Sequence, residues 1–142
     1  MQKQSAMKTD FLGLRTVVYQ VSDINLAKDW YIKVLNIQPY FDESFYVGFN
    51  VAGYELALQP GKNNTTQNSG GAVSYWGVDD VKSKYQELLA LGAVSFEEPN
   101  EVGGGIVVAT VIDPWGNLFG IIYNPHFSLA EKNSEQAIHA KK

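Results

Sequence analysis

Runs of alternating apolar residues and runs at helical spacing recur along this chain, and they recur twice in the same order. Leu14 to Val21 is apolar and aromatic and reads as a strand. Asp23 then offers an N-cap, and Leu26, Ala27, Trp30, Tyr31, Val34 and Leu35 fall on one helical stripe. Asn36 is a plausible stop, because asparagine tolerates the left-handed conformation. Three short β-like segments follow, Gln38–Glu43, Phe45–Val51 and Tyr54–Leu58, with Gly53 marking the turn between the last two. Residues 62–71, rich in Asn, Thr, Gln, Ser and Gly, contain no apolar side chain and read as a linker.

Beyond the linker the pattern starts again. Ala72–Val78 reads as a strand, and Asp79 or Asp80 caps a helix whose stripe is Val81, Tyr85, Leu88 and Leu89, closed by Gly92. Strands are then expected at Val94–Glu97, Ile106–Ile112 and Leu118–Tyr123. Val21-Ser22-Asp23-Ile24 and Val78-Asp79-Asp80-Val81 correspond at an offset of about 57 residues, the mark of a tandem repeat with the unit β-α-β-β-β.

The expected fold class is therefore α+β. An N-terminal extension covers residues 1–12, the two βαβββ modules cover 13–61 and 72–127, and a polar tail, expected to fray or form a loose helix, covers 128–142. One helix covers only one face of a four-stranded sheet. Two modules side by side can curve their bare faces into a cupped, partly closed mixed sheet with the helices outside.

Composition narrows the function classes. An apolar fraction of 45% with three Trp, eight Tyr and seven Phe argues for a packed globular chain. No apolar stretch approaches the roughly 20 residues of a membrane span. Met1 to Asp10 is polar and lacks an apolar signal core, so a cytoplasmic location is expected. There is no cysteine, hence no disulfide framework, thiolate nucleophile or cysteine metal site. The net charge of −4 and the scattered lysines disfavour a nucleic-acid partner. Gly103-Gly104-Gly105 lacks the lysine and the strand-to-helix setting of a phosphate cradle, and reads as a hairpin loop at the rim of the cup.

The run Asp113-Pro114-Trp115-Gly116-Asn117 lies between Ile106–Ile112 and Leu118–Tyr123. Pro114 presets a turn, while Gly116 and Asn117 tolerate positive φ, so the segment reads as a β-hairpin. Together with the paired modules and the run from Val21 to Leu35, this closing motif resembles the vicinal oxygen chelate superfamily, which includes lactoylglutathione lyase, bleomycin-resistance proteins and extradiol dioxygenases. The resemblance spans roughly Leu14 to Pro125. In metal-binding members it implies His, Gln or Glu ligands on the first and last strands of each module. Those positions fall here at Thr16, Glu55, Val73 and Gly120. One carboxylate is too few for a divalent catalytic ion. His126 and His139 follow the strands and cannot replace a missing ligand. The resemblance so read implies no metal and no cofactor. It also implies a homodimer.

Strand alternation then divides the side chains. With Thr16 facing the cup, so do Val18 and Gln20; Glu55, Ala57 and Gln59 follow on the fourth strand. Val73 and Tyr75 face in from the fifth strand, and Leu118, Gly120 and Ile122 from the last. Val17, Tyr19, Val21, Tyr54, Leu56, Leu58, Trp76, Phe119, Ile121 and Tyr123 face the helices. Among the further aromatics Phe41, Phe45, Tyr46 and Phe49, some are expected to line or roof the cavity, and Phe49 is grouped with the pocket. The candidate ligand-binding set is thus Thr16, Gln20, Phe49, Glu55, Ala57, Gln59, Val73, Tyr75, Leu118 and Gly120, mostly apolar walls with a few polar groups. Gly120 and Ala57 are expected to leave room.

Each polar candidate has two readings. Glu55 is either an edge carboxylate, solvated or paired with a lysine or Arg15, or a ligand contact or base whose pKa desolvation raises. Tyr75 is a core aromatic or a catalytic acid, and Gln20 and Gln59 orient a ligand or simply occupy a half-open sheet. The leading functional reading is metal-independent binding of a small, partly apolar or aromatic molecule. A cofactorless isomerase or lyase using Glu55 as general base is the alternative, followed by a metal-dependent lactoylglutathione lyase or dioxygenase and by a non-catalytic interaction module.

Overall fold

The computed structural model describes residues 9–10, 12, 14–61 and 72–127. The expected linker at 62–71, the tail at 128–142 and most of the N-terminal extension lie outside these residues. The chain divides into two compact units, Met1–Gly61 and Lys62–Lys142.

The first unit runs β1 (Thr16–Val21), α1 (Ile24–Leu35), β2 (Phe41–Glu43), β3 (Tyr46–Val51) and β4 (Tyr54–Pro60). Asp23 caps α1 as expected: its carboxylate accepts from the Leu26 N–H at 3.1 Å. Asn36 ends the helix in the left-handed region at φ 59°, and its N–H reaches the Ile32 carbonyl. The sheet order is β1-β4-β3-β2, with β1 parallel to β4 and the other pairs antiparallel. At the β3–β4 turn Ala52 and Gly53 both take positive φ, 53° and 97°. Two such residues make the type I′ geometry that matches strand twist, and Asn50 Oδ1 secures it by accepting from the Gly53 N–H.

The second unit repeats the plan with β5 (Tyr75–Gly77), α2 (Val81–Ala90), β6 (Val94–Gly103), β7 (Ile106–Ile112) and β8 (Leu118–Tyr123), in the order β5-β8-β7-β6. Asp80, not Asp79, is the cap, accepting from the Ser83 N–H at 3.0 Å. Both helix caps therefore sit at equivalent points of the repeat.

Three strands differ from expectation by three residues or more. β2 and β5 are shorter, and β6 runs six residues past Glu97 to Gly103. The Glu98-Pro99-Asn100-Glu101 stretch lacks strand character by composition. It is tolerated because β6 is the sheet edge, where proline needs no donor, and the register slips along the pairing with β7. The acidic side chains and irregular register also blunt this edge against further pairing.

Each unit buries one face of its sheet under its helix. In the first, Ala27, Trp30 and Tyr31 of α1 meet Tyr19, Val21, Val47, Phe49, Leu56 and Leu58. Tyr31 stacks on Tyr19 at 6.0 Å between ring centroids and meets Trp30 edge-on at 4.9 Å. In the second, Val81, Tyr85 and Leu88 face Ala109, Val111, Phe119 and Ile121, and Trp76 stacks on Phe119. The Tyr85 hydroxyl is satisfied by Ser95 Oγ at 2.7 Å. The helix-facing side predicted by alternation is borne out for β1, β4 and β8, apart from Tyr123, which is exposed at the end of its strand.

The β7–β8 turn is built on a buried carboxylate. Asp113, 2% exposed, accepts from the Trp115 and Asn117 N–H groups at 2.9 and 2.8 Å and from the Asn117 amide. Gly116 takes the positive φ, 92°. Asn117 does not; its contribution is the side-chain bond to Asp113. Asp113→Ala leaves those buried donors unmatched, and we expect a loss of about 2–3 kcal/mol in urea unfolding. A loss under about 0.5 kcal/mol would show that the turn holds without it.

Candidate functional site

The face of the first sheet turned away from α1 is organised in three rows, set by strand register. Thr16, Glu55 and Asn50 form one; Val18, Ala57, Gly48 and Phe41 form the next; Gln20, Gln59, Tyr46 and Glu43 form the third. Asp42, one residue out of phase with Phe41, bonds Lys28 of α1 at 3.0 Å, which confirms the helix side independently.

Glu55 is the centre of this face. The Tyr40 hydroxyl donates to its Oε2 at 2.5 Å and the Tyr46 hydroxyl to its Oε1 at 2.8 Å. The Thr16 hydroxyl is a third partner. Tyr46 lies two residues, one full strand repeat, before Gly48, so its side chain must extend along the sheet to reach the carboxylate. Tyr40 precedes β2 and is tied in by its own N–H, which donates to the Gly48 carbonyl. Gly48 makes the arrangement possible. A Cβ there would lie 2.6 Å from Glu55 Oε2 and 3.0 Å from the Tyr40 ring. Beside the cluster, a cleft of about 180 Å³ is lined by Arg15, Tyr40, Asn50, Gly53, Tyr54 and Glu55.

Two opposed effects act on the Glu55 carboxyl. Burial is the largest single one and raises its pKa, but the hydroxyls of Tyr40, Thr16 and Tyr46 together outweigh it and hold the group below its ordinary 4.5. The raised value expected for a desolvated base is therefore corrected: donors that stabilise the anion surround it. The same bonds shift the phenols upward. Tyr40 is raised chiefly by its bond to Glu55, and Tyr46 by burial and then by that bond, so both hydroxyls stay protonated as donors.

The other candidates sort plainly. Gln20 and Gln59 are cross-strand partners, and Gln20 Nε2 donates to Gln59 Oε1 at 3.0 Å. Ala57 lies on the open face yet is fully buried. Phe49 pairs with Leu56 in register and is fully buried, which places it in the core beneath the helix and not on the open face. In the second unit Tyr75 is the register partner of Gly120. A Cβ on Gly120 would lie 2.6 Å from the Tyr75 ring and 2.7 Å from the Ser74 carbonyl oxygen. The room expected at Gly120 is thus taken by Tyr75. Val73 is exposed, and Leu118 is half-buried on the same side as Gly120.

The positions that the family resemblance assigns to metal ligands do not fit a divalent ion. In the first unit Thr16 supplies a hydroxyl already bonded to Glu55, and in the second Val73 and Gly120 supply no donor atom. No group of three His, Asp or Glu side chains converges anywhere among the described residues. His126, beyond β8, engages the Gly104 carbonyl through Nε2.

Sequence reasoning missed Tyr40 and Gly48, and it counted Tyr46 only as one aromatic among several. The signal was Gly48, which leaves space for the Tyr40 ring and the Glu55 carboxylate where a side chain would clash.

Since Glu55 has a lowered pKa in the folded state, its stabilisation is complete above the unfolded value near 4.5 and is lost as pH falls through the lower folded value. The difference in unfolding free energy between wild type and Glu55→Gln should stay flat well above pH 4.5 and shrink as the pH falls below it. Tyr46→Phe should make that decline shallower. A difference that grows on acidification would mean that burial, not the hydroxyls, dominates.

The profile of the Glyoxalase/Bleomycin resistance protein/Dioxygenase superfamily matches residues 13–121. Similar solved structures include a glyoxalase-related enzyme from Fulvimarina pelagi, at 18% identity and TM-score 0.66, covering 81% of this chain and 90% of that one. A glyoxalase/bleomycin resistance protein from Albidiferax ferrireducens is 17% identical with TM-score 0.64, over 79% and 98% of the respective chains. A variant of the fosfomycin resistance protein FosX from Listeria monocytogenes, complexed with Mn(II) and a dihydroxypropylphosphonic acid, is 19% identical with TM-score 0.65, over 78% and 89%. No curated protein matches the chain. By the extent of the profile match, and in keeping with the two βαβββ modules, this chain belongs to the Glyoxalase/Bleomycin resistance protein/Dioxygenase superfamily.

Proposed function

We propose that the protein binds a small, partly apolar or aromatic molecule without a metal ion, on the open face of the first sheet around Glu55. The observation that carries this reading is the make-up of that face. Val18 and Phe41 give exposed apolar side chains in one register row, and a single ionised carboxylate with its hydroxyls supplies polar anchoring beside them. Mostly apolar walls with a few convergent polar groups are what small-molecule sites offer. Val18 is 40% exposed and Phe41 39%, so the surface is accessible within this unit. The donor set around Glu55 weighs against its use as a general base, because a carboxylate held below its ordinary pKa is a weaker proton acceptor. The residues at the ligand positions weigh against a metal-dependent reaction of the family type.

The test is a fluorescence titration with N-phenylnaphthylamine, a neutral aromatic probe, with and without EDTA. Equal affinity in both conditions is expected. Val18→Trp, which fills the open face from an exposed position, should weaken binding about tenfold while the melting temperature is kept. Binding that vanishes with EDTA, or that Val18→Trp leaves unchanged, would contradict the reading.

A further inference from the structure

Glu55 is a half-buried carboxylate with no cation among the partners of its side chain. Its three hydroxyl partners donate hydrogen bonds but bring no positive charge. The ion pairs among the described residues are Lys28–Asp42 and Lys84–Glu87, and neither includes it. Arg15 lines the neighbouring cleft, yet its guanidinium is turned to the Leu12 carbonyl, which its Nη1 reaches at 2.7 Å. A carboxylate offers about four acceptor positions; the two tyrosine hydroxyls take one on each oxygen, and the single Thr16 hydroxyl is shared with Tyr46. At least one position therefore remains for a donor arriving from outside.

What surrounds that position is aromatic. The rings of Tyr40 and Tyr46 converge on the carboxylate through their hydroxyls. Phe41 meets Tyr46 edge-on at 6.0 Å between centroids and Phe45 at 6.2 Å, so the rings form a continuous cluster along the face. They are open to solvent: Tyr40 and Phe45 are each 63% exposed. A ring face attracts a cation, and a half-desolvated anion beside it does so more strongly. Exposed aromatics around an uncompensated carboxylate are a poor match for an anionic ligand and no better than neutral for an uncharged one.

We infer that the Glu55 site takes an organic cation, an ammonium group carried on an aromatic or apolar body, with the N–H groups directed to the free carboxylate position and the body laid against Phe41, Val18 and the tyrosine rings. The cleft of about 180 Å³ accommodates a headgroup and not a whole drug-sized molecule, for which sites run to about 300 Å³ and above, so the body lies on the open face. This assignment rests on the binding reading above and names its ligand class.

Isothermal titration with three probes of similar shape tests it: benzylammonium, benzyl alcohol and phenylacetate, on wild type and on Glu55→Gln at neutral pH. Benzylammonium should bind wild type about tenfold or more tightly than the other two, as a charge-assisted hydrogen bond implies. Glu55→Gln should erase that preference, bringing benzylammonium to within about threefold of benzyl alcohol on the same variant. Should Glu55→Gln not fold, a salt series on wild type decides: only the ammonium's affinity should fall as salt rises. If benzyl alcohol or phenylacetate binds as well as benzylammonium, the cation assignment is overturned and the binding reading stands. If none of the three binds, both fall.

Discussion

A four-stranded sheet has two faces and each module has one helix. That imbalance shapes everything else in the structure. The helix takes one face, and strand alternation sends every second side chain to the other, where no element of the same module covers it. The covered faces are packed with Tyr31, Phe49, Leu56, Val111 and Ile121, all almost without solvent exposure. The open faces hold the residues from which chemistry can be made. In the second module the open face is partly filled by its own Tyr75 lying against Gly120, and in the first by tyrosines turned onto Glu55.

The position of Glu55 is one at which the family resemblance places a metal ligand, and here hydroxyl donors surround it. A ligand carboxylate needs partner ligands and a free pair of electrons aimed at the ion. Glu55 is instead held by hydroxyls from Thr16, Tyr40 and Tyr46, which spend most of its accepting capacity while keeping it charged. A base needs the opposite adjustment, a proton affinity raised toward neutrality. Desolvation pushes that way and is outweighed. What remains is an anchored anion in an aromatic setting, better suited to recognition than to proton transfer.

Much of this was legible from sequence because it depends on local rules. Asp23 and Asn36 announce a helix by capping chemistry, and the repeat of the Asp23 motif at Asp80 announces the second module. The faces of β1, β4 and β8 follow from alternation once one residue is oriented. The phase of β3 does not, because it depends on register with β4, a tertiary quantity; hence Phe49 was grouped with the pocket while it belongs to the core. The convergence of Tyr40 and Tyr46 on Glu55 joins residues nine and fifteen positions apart across a sheet, and no spacing rule encodes it. The extension of β6 is not legible either, because Glu98-Pro99-Asn100-Glu101 has no strand composition and pairs at a sheet edge, a tertiary position.

The central claim is that hydroxyl donors, not burial, set the state of the Glu55 carboxyl. A carbon-detected NMR titration of that carboxyl in the intact protein addresses it directly. The account predicts a midpoint below the ordinary 4.5. A midpoint above that value would contradict it and would make Glu55 a proton acceptor after all.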